Sequence, residues 1–235
     1  MKTKKFILLL FKLFFVAIIT FSLFMIIRWN KEKGAANKEI RDIKKTIKKD
    51  KGINFDKLRL INKDVVGWIK VPNTSIDYPV VRSTNNHYYL NHSFKKEDSS
   101  AGWIFMDYRN KLDGNDKNLI IYGHNRLDGI MFGELKKLLD KDWFKNKDNL
   151  NIEFITPKEK FIYKVFSIYK IKDETYYLTT DLDTNYDKFI DKLKSRSKYD
   201  FDTELNGNSI LTLSTCSDDV NSSRLVVHAI KTEKK

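Results

Sequence analysis

The chain has 235 residues, 41% hydrophobic and 32% charged, which fits one sizeable globular domain with an appendage and excludes a disordered chain. The formal charge of +13 is unevenly placed: residues 1–51 carry 14 Lys and Arg against 4 Asp and Glu, whereas residues 52–235 carry 30 against 27. A polyanion-binding groove needs its charge on the folded surface, so nucleic acid is disfavoured as a partner.

In chain order, residues 1–5 form a short basic tail. Residues 6–27 (FILLLFKLFFVAIITFSLFMII) are apolar apart from Lys12, Thr20 and Ser22. As a helix they would span about 33 Å, roughly one hydrocarbon core, with Lys12 near enough to its end to reach the headgroups. A cleaved signal peptide has a shorter apolar core followed by small residues, whereas Arg28-Trp29-Asn30-Lys31 follows here. The segment is therefore expected to be an uncleaved transmembrane signal-anchor. Lys2, Lys4 and Lys5 on one side and Arg28, Lys31 and Lys33 on the other barely decide its orientation. A five-residue tail ahead of a long domain favours the tail in the cytoplasm and the domain outside the cell.

Residues 28–51 are polar and basic, with Ile40, Ile43 and Ile47 at helical spacing but no full apolar stripe. They are expected to form a stalk, helical in part, either lying near the anionic membrane surface or wall polymers or serving as a solvated spacer, the second being favoured. A single domain is expected over 52–235. It opens with a short helix at 54–62, with Phe55, Leu58 and Ile61 or Leu60 on one side. Eight β-type runs follow, at 67–71, 76–81, 102–107, 118–124, 151–156, 160–172, 209–216 and 224–230. Strands at this spacing point to a closed or nearly closed barrel. Two helices are expected among them. One covers 129–144, with Met131, Leu135, Leu138 and Leu139 on one face; the other covers 185–197, with Tyr186, Phe189, Ile190 and Leu193 in helical register.

The single cysteine, Cys216, cannot form an intramolecular disulfide, which leaves a spare thiol, a partner for another chain or a reactive group. It ends a predicted strand whose alternation puts Thr212, Ser214 and Cys216 on one polar face, and Ser217-Asp218-Asp219 follows. Arg224 begins the next strand eight residues later, an interval that lets it return near the sulfur, where a guanidinium would favour thiolate and could stabilise an oxyanion. Of four histidines, His228 lies about 13 Å along from Arg224 and reads as structural. His87 and His92 sit in a polar loop and are weak as a metal site. His124 closes an apolar strand with Gly123 beside it for close backbone approach. A strand-end histidine alone is as often structural as functional, but with Cys216 and Arg224 also at strand ends an acid–base role gains weight.

The segments IYGHN and LTLSTC, with an arginine eight residues after the cysteine and the order His, Cys, Arg, resemble the signature of the sortases. The resemblance covers about residues 54–231. DVVGWIKVPNTSIDYPVV near its start and the helix before the seventh strand are similar to class B members. It implies an eight-stranded sortase-type β-barrel with flanking helices, and a transpeptidation. Cys216 would attack the threonine carbonyl of a C-terminal sorting signal on a secreted protein, NPxT-like or a variant. His124 would protonate the leaving amine, and Arg224 would orient the peptide and stabilise the oxyanion. The acyl group would pass to an amine of peptidoglycan or its lipid-linked precursor. Asp218 matches an acidic position of some class B members and is carried as a supporting residue; Ser214 and Thr215 flank the cysteine and are candidates for lining the peptide groove. Thiol chemistry of this kind needs no metal or cofactor, and calcium independence is expected.

Two rivals remain at this point. A cysteine peptidase hydrolysing wall peptides is disfavoured in its papain-like form, because His124 precedes Cys216, and in its caspase-like form, because QAC[RQG]G is absent. A non-enzymatic wall-binding module would rely on the basic stalk instead.

Overall fold

The computed structural model describes residues 2–47, 52–111, 116–172, 174–182, 185–207, 209–216 and 223–234. Eight strands close into a barrel in the order β1-β2-β3-β4-β7-β8-β6-β5. They are β1 (Val65–Lys70), β2 (Asp77–Val81), β3 (Phe105–Met106), β4 (Asn118–His124), β5 (Asn151–Ile155), β6 (Lys160–Ile171), β7 (Ile210–Cys216) and β8 (Arg224–Lys234). Six of the eight junctions are antiparallel; β2 on β3 and β4 on β7 are parallel. The predicted eight-stranded barrel is thus present, with the third strand shorter than 102–107.

Closure buries two apolar layers. Leu211, Leu213, Val227 and Ala229 join Ile69, Val80, Ile121 and Phe154 in the main core. Ile210, Val226 and Ile230 alternate with them and join Phe166, Tyr177, Phe189, Ile190 and Leu193 in a second cluster. The period of two along β7 and β8 therefore separates the barrel interior from an outer layer roofed by α4 (Tyr186–Ser195). Phe189, Ile190 and Leu193 are the buried face of α4, as their spacing predicts, with Tyr186 half-buried beside them. In α2 (Phe55–Ile61), Asn54 caps the helix by accepting from the amide of Lys57, and Phe55 and Leu58 are buried. Leu60 is 87% exposed and does not share that face.

The long helix α1 (Lys2–Ile47) joins the apolar segment and the stalk without a break. Its first half is the one helix among the described residues long and apolar enough to cross a membrane, and residues 4–31 are exposed throughout. The favoured expectation of a solvated spacer at 28–51 is corrected here. Ala36, Ile40 and Ile43, at helical spacing, are buried against the barrel, and Lys44 lies 3.5 Å from the Asp77 carboxylate and over the Tyr78 ring.

A second correction concerns 129–144, which is not one helix. It contains a 3-10 turn at Leu135–Leu139 and a separate short helix, α3 (Lys141–Lys145), started by the Asp140 carboxylate accepting from the amide of Asp142. Gly129 and Met131 have φ of +83° and +54°, which an α-helix cannot use. The chain instead folds back on β4, with the Phe132 amide donating to the His124 carbonyl at 3.0 Å. Ile130, Met131, Phe132, Leu135 and Leu138 are all buried, so the apolar period is satisfied by a compact turn rather than a helix.

The two helical leucines separate burial from propensity. Leu193→Ala, at a fully buried site in the outer layer, should lower stability by about 2–4 kcal/mol. Leu60→Ala should change the melting temperature little, and thermal unfolding of both variants checks the contrast.

Candidate active site

β4 and β7 run parallel in unbroken register from Asn118 opposite Ile210 to His124 opposite Cys216. Both strands end at that pair. The β7–β8 register, Ile210 opposite Ile230 through Ser214 opposite Val226, is extended by the Leu225 amide donating to Thr215 Oγ1 at 2.8 Å. Arg224, the first residue of β8, lies two residues from Val226, as Cys216 lies two residues from Ser214, and pairs with Ile171 of β6. Positions 124 and 216 are thus level at one end of the barrel, with the start of β8 beside the end of β7.

His124 is 5% exposed. Its Nε2 lies 2.7 Å from the Leu90 carbonyl, which can only accept, so Nε2 carries a proton and donates it there. In the neutral ring the lone pair is then on Nδ1. Two glycines make this placement possible. A Cβ on Gly123 would stand 2.4 Å from Ile104 Cδ1 and 2.8 Å from the Phe132 ring. At Gly102, where φ is +56°, a Cβ would stand 2.6 Å from the Leu90 carbonyl oxygen and 2.8 Å from His124 Cδ2. The close approach expected of Gly123 is present; Gly102 was not singled out by its sequence context.

The floor beneath this pair is polar and saturated. Ser214 is buried and its hydroxyl lies 3.0 Å from that of Tyr177. Thr215 is buried and is engaged by Leu225 as above. One level down, Thr212 donates to Asn118 Oδ1 at 2.6 Å and lies 2.9 Å from His228 Nδ1; His228 Nε2 is 2.9 Å from the Tyr169 hydroxyl. Burial pushes the fully buried His228 down to about 3, so the ring stays neutral and structural. Asp218 lies outside the described residues.

Beside β4, a second polar group was not anticipated. Tyr122, two residues before His124, donates to Asp107 at 2.8 Å, and Arg109 donates to both oxygens of the same carboxylate at 2.8 Å. Burial raises the Asp107 carboxyl, but the bonds from Arg109 and Tyr122 outweigh it and hold it below the ordinary range. Arg109 also donates to the Leu178 carbonyl, tying the wall carrying Tyr177 to the β3–β4 connection. The only signal in the sequence was the acid–base pair in MDYR, which is too common to single out.

Comparison with known proteins adds the family. The model of the sortase domain matches residues 69–232. Sortase B of Listeria monocytogenes is 40% identical over 162 residues, 68% of this chain and 65% of that protein. The crystal structure of Bacillus anthracis sortase B in complex with AAEK1 superposes with a TM-score of 0.78 at 37% identity, covering 86% of this chain and 99% of that one. The Staphylococcus aureus sortase B–substrate complex gives 0.76 at 34% identity, covering 88% and 99%. The closed eight-stranded barrel thus has its place: the chain belongs to the sortases, a family of cysteine transpeptidases. Within that family its relatives are of class B. The matched stretch spans slightly less than two thirds of the Listeria protein.

Two measurements test this geometry. Gly102→Ala should fold with reduced stability and lose at least tenfold in turnover, because a methyl group there displaces either the Leu90 carbonyl or the imidazole. For His228, the folded pKa lies below the unfolded value of about 6.5, so below that pH the unfolded state binds the extra proton and stability falls with acid. The fall should approach about 1.4 kcal/mol per pH unit from this group, down to its folded pKa. Urea titrations of the wild type and His228→Gln between pH 7 and 4 should show a shallower acid slope in the variant.

Proposed function

We propose that this protein is a class B sortase whose domain at 52–235 stands outside the cell, carried by residues 6–27 as a signal-anchor with residues 1–5 in the cytoplasm. Cys216 is the nucleophile, His124 the acid–base group and Arg224 the oxyanion and peptide clamp. The observation that supports this reading is the strand register, which pairs His124 with Cys216, with Arg224 beginning the next strand. Nothing else in the fold requires a histidine, a cysteine and an arginine at three adjacent strand ends.

The substrate is the C-terminal sorting signal of a secreted protein, NPxT-like, cleaved after threonine. Thiolate sulfur adds to the threonine carbonyl, and Arg224 with neighbouring amides stabilises the tetrahedral oxyanion. The C–N bond breaks as His124, which took the thiol proton at Nδ1 when the thiolate formed, gives that proton to the departing amine, leaving a thioester on Cys216 and a neutral ring. A peptidoglycan or lipid-linked precursor amine then attacks the thioester, His124 takes its proton, and the thiolate is released. Because Nε2–H is committed to the Leu90 carbonyl, Nδ1 is the nitrogen that exchanges the proton. Arg224 at β8's first residue supplies permanent positive charge beside the thiolate. Ser214 and Thr215, buried with both hydroxyls engaged, act as supports beneath the peptide rather than as its direct ligands. Asp218 is retained as a supporting residue. The substrate complex of the Staphylococcus aureus relative favours a peptide in the corresponding groove.

A soluble protein beginning at about residue 30 should cleave a threonine-containing sorting peptide. Cys216→Ala and His124→Ala should each reduce turnover by at least 1,000-fold, and Arg224→Ala by 100-fold or more. Mass spectrometry should trap a thioester at Cys216 and, with an amine acceptor present, an amide product in place of the hydrolysed peptide. Wild-type turnover in Cys216→Ala would refute the assignment.

A further inference from the structure

The connection from β2 to β3, residues 82–104, contains little regular structure beyond the 3-10 turn at Tyr88–Leu90, yet it supplies two contacts to the His124 ring. Leu90 accepts the Nε2 proton, and Gly102 packs on the ring edge. The stretch between them is fastened to α1 at two places. Glu39 Oε1 accepts from the Lys95 amide at 2.8 Å and from the Ser93 hydroxyl at 3.2 Å. One helical heptad earlier, Glu32 accepts from the Ser100 hydroxyl. Glu32, Ala36, Glu39, Ile40 and Ile43 fall at i, i+4, i+7, i+8 and i+11, one face of the helix, so the two carboxylates bracket the buried apolar contact. Burial pushes the Glu39 carboxyl above its ordinary range, partly offset by the Lys95 and Ser93 bonds. A partly buried carboxylate that accepts a backbone amide forms a stronger tie than a solvated surface pair.

We infer that the stalk half of α1 is a strut that positions His124 through the 88–102 loop, with Glu39 as its principal positioning residue and Glu32 as the second. This rests on the assignment of His124 as the acid–base group. The barrel closes through its own eight strands without α1. Loosening the strut therefore acts on the 88–102 loop first and leaves the barrel ladder in place. A shift of the Leu90 carbonyl by about 1 Å re-aims the imidazole, and displacements of that size lower catalytic rates by up to about 100-fold. The membrane-proximal helix is thereby part of the catalytic apparatus and not only a leash.

The test uses the full chain in nanodiscs with a sorting peptide. Glu39→Ala should lower kcat about tenfold, and the Glu32→Ala/Glu39→Ala double variant further, with peptide KM changed less than about twofold. Glu39→Gln, whose amide oxygen still accepts both bonds, should recover most of the rate. Arg41→Ala, on the exposed face of the same helix, should match the wild type. In protein labelled with 15N-histidine, the His124 Nε2 resonance should move in Glu39→Ala and return in Glu39→Gln, a change that simple destabilisation would not produce. Wild-type kcat in the double variant with an unmoved His124 resonance overturns the strut. Wild-type turnover that survives His124→Ala would instead sink the histidine assignment on which it rests.

Discussion

The parallel pairing of β4 with β7 is the constraint on which the rest of this protein depends. A parallel ladder fixes both the lateral spacing and the level of two strands, so ending both at the same pair places His124 and Cys216 side by side without any loop having to find the geometry. The antiparallel return of β8 begins at Arg224, beside the end of β7. Because all three positions belong to a closed barrel, a shift of any one strand would have to disturb the whole ring of hydrogen bonds. The reacting groups thus gain a preorganised frame from the backbone itself, which is how a rigid element serves a site better than a flexible one.

Below that pair, polar side chains are set among the apolar ones on the outer face of β7 and β8. Thr212, Ser214, Asn118 and His228 point toward Tyr169 and Tyr177 rather than toward water. Buried groups of this kind are tolerated only when each donor meets an acceptor. Burial keeps His228 neutral, while Arg109 keeps Asp107 charged against the same burial. Together the two networks tie the segment carrying Tyr177 to β4 and β7 through side chains rather than through sheet pairing.

The N-terminal helix changes meaning when its two halves are considered together. Its first half is apolar and exposed; in its second half Ala36, Ile40 and Ile43 are buried in the core. An unbroken helix fixes distance as well as attachment, so the separation between residues 6–27 and the barrel is set by residue count at about 1.5 Å per residue. A flexible tether would leave that distance free.

Much of this was legible in the residues. The period of two in β4, β7 and β8, the period of 3.6 in α4 and the length of the 6–27 run each follow from local geometry, so barrel, helix and span could be anticipated from the chain alone. IYGHN, LTLSTC and the arginine eight residues on identified the candidate site because strand-end placement depends only on where apolar alternation stops. What the chain could not disclose depends on contacts between distant segments. The 129–144 period was read as a helix because periodicity reports burial, not backbone, and left-handed Met131 is imposed by docking on β4. Residues 28–51 were favoured as a solvated spacer because three buried side chains scarcely register in a basic sequence. Leu90 and Gly102 had no local mark at all, since a carbonyl and a missing Cβ acquire significance only beside the imidazole. Sequence by itself determined which side chains are candidates for the chemistry and which strands carry them. Tertiary structure alone decided the common level of His124 and Cys216, the tautomer of His124 and the docking of α1, because each arises from backbone groups meeting across the fold, and backbone groups are the same in every residue.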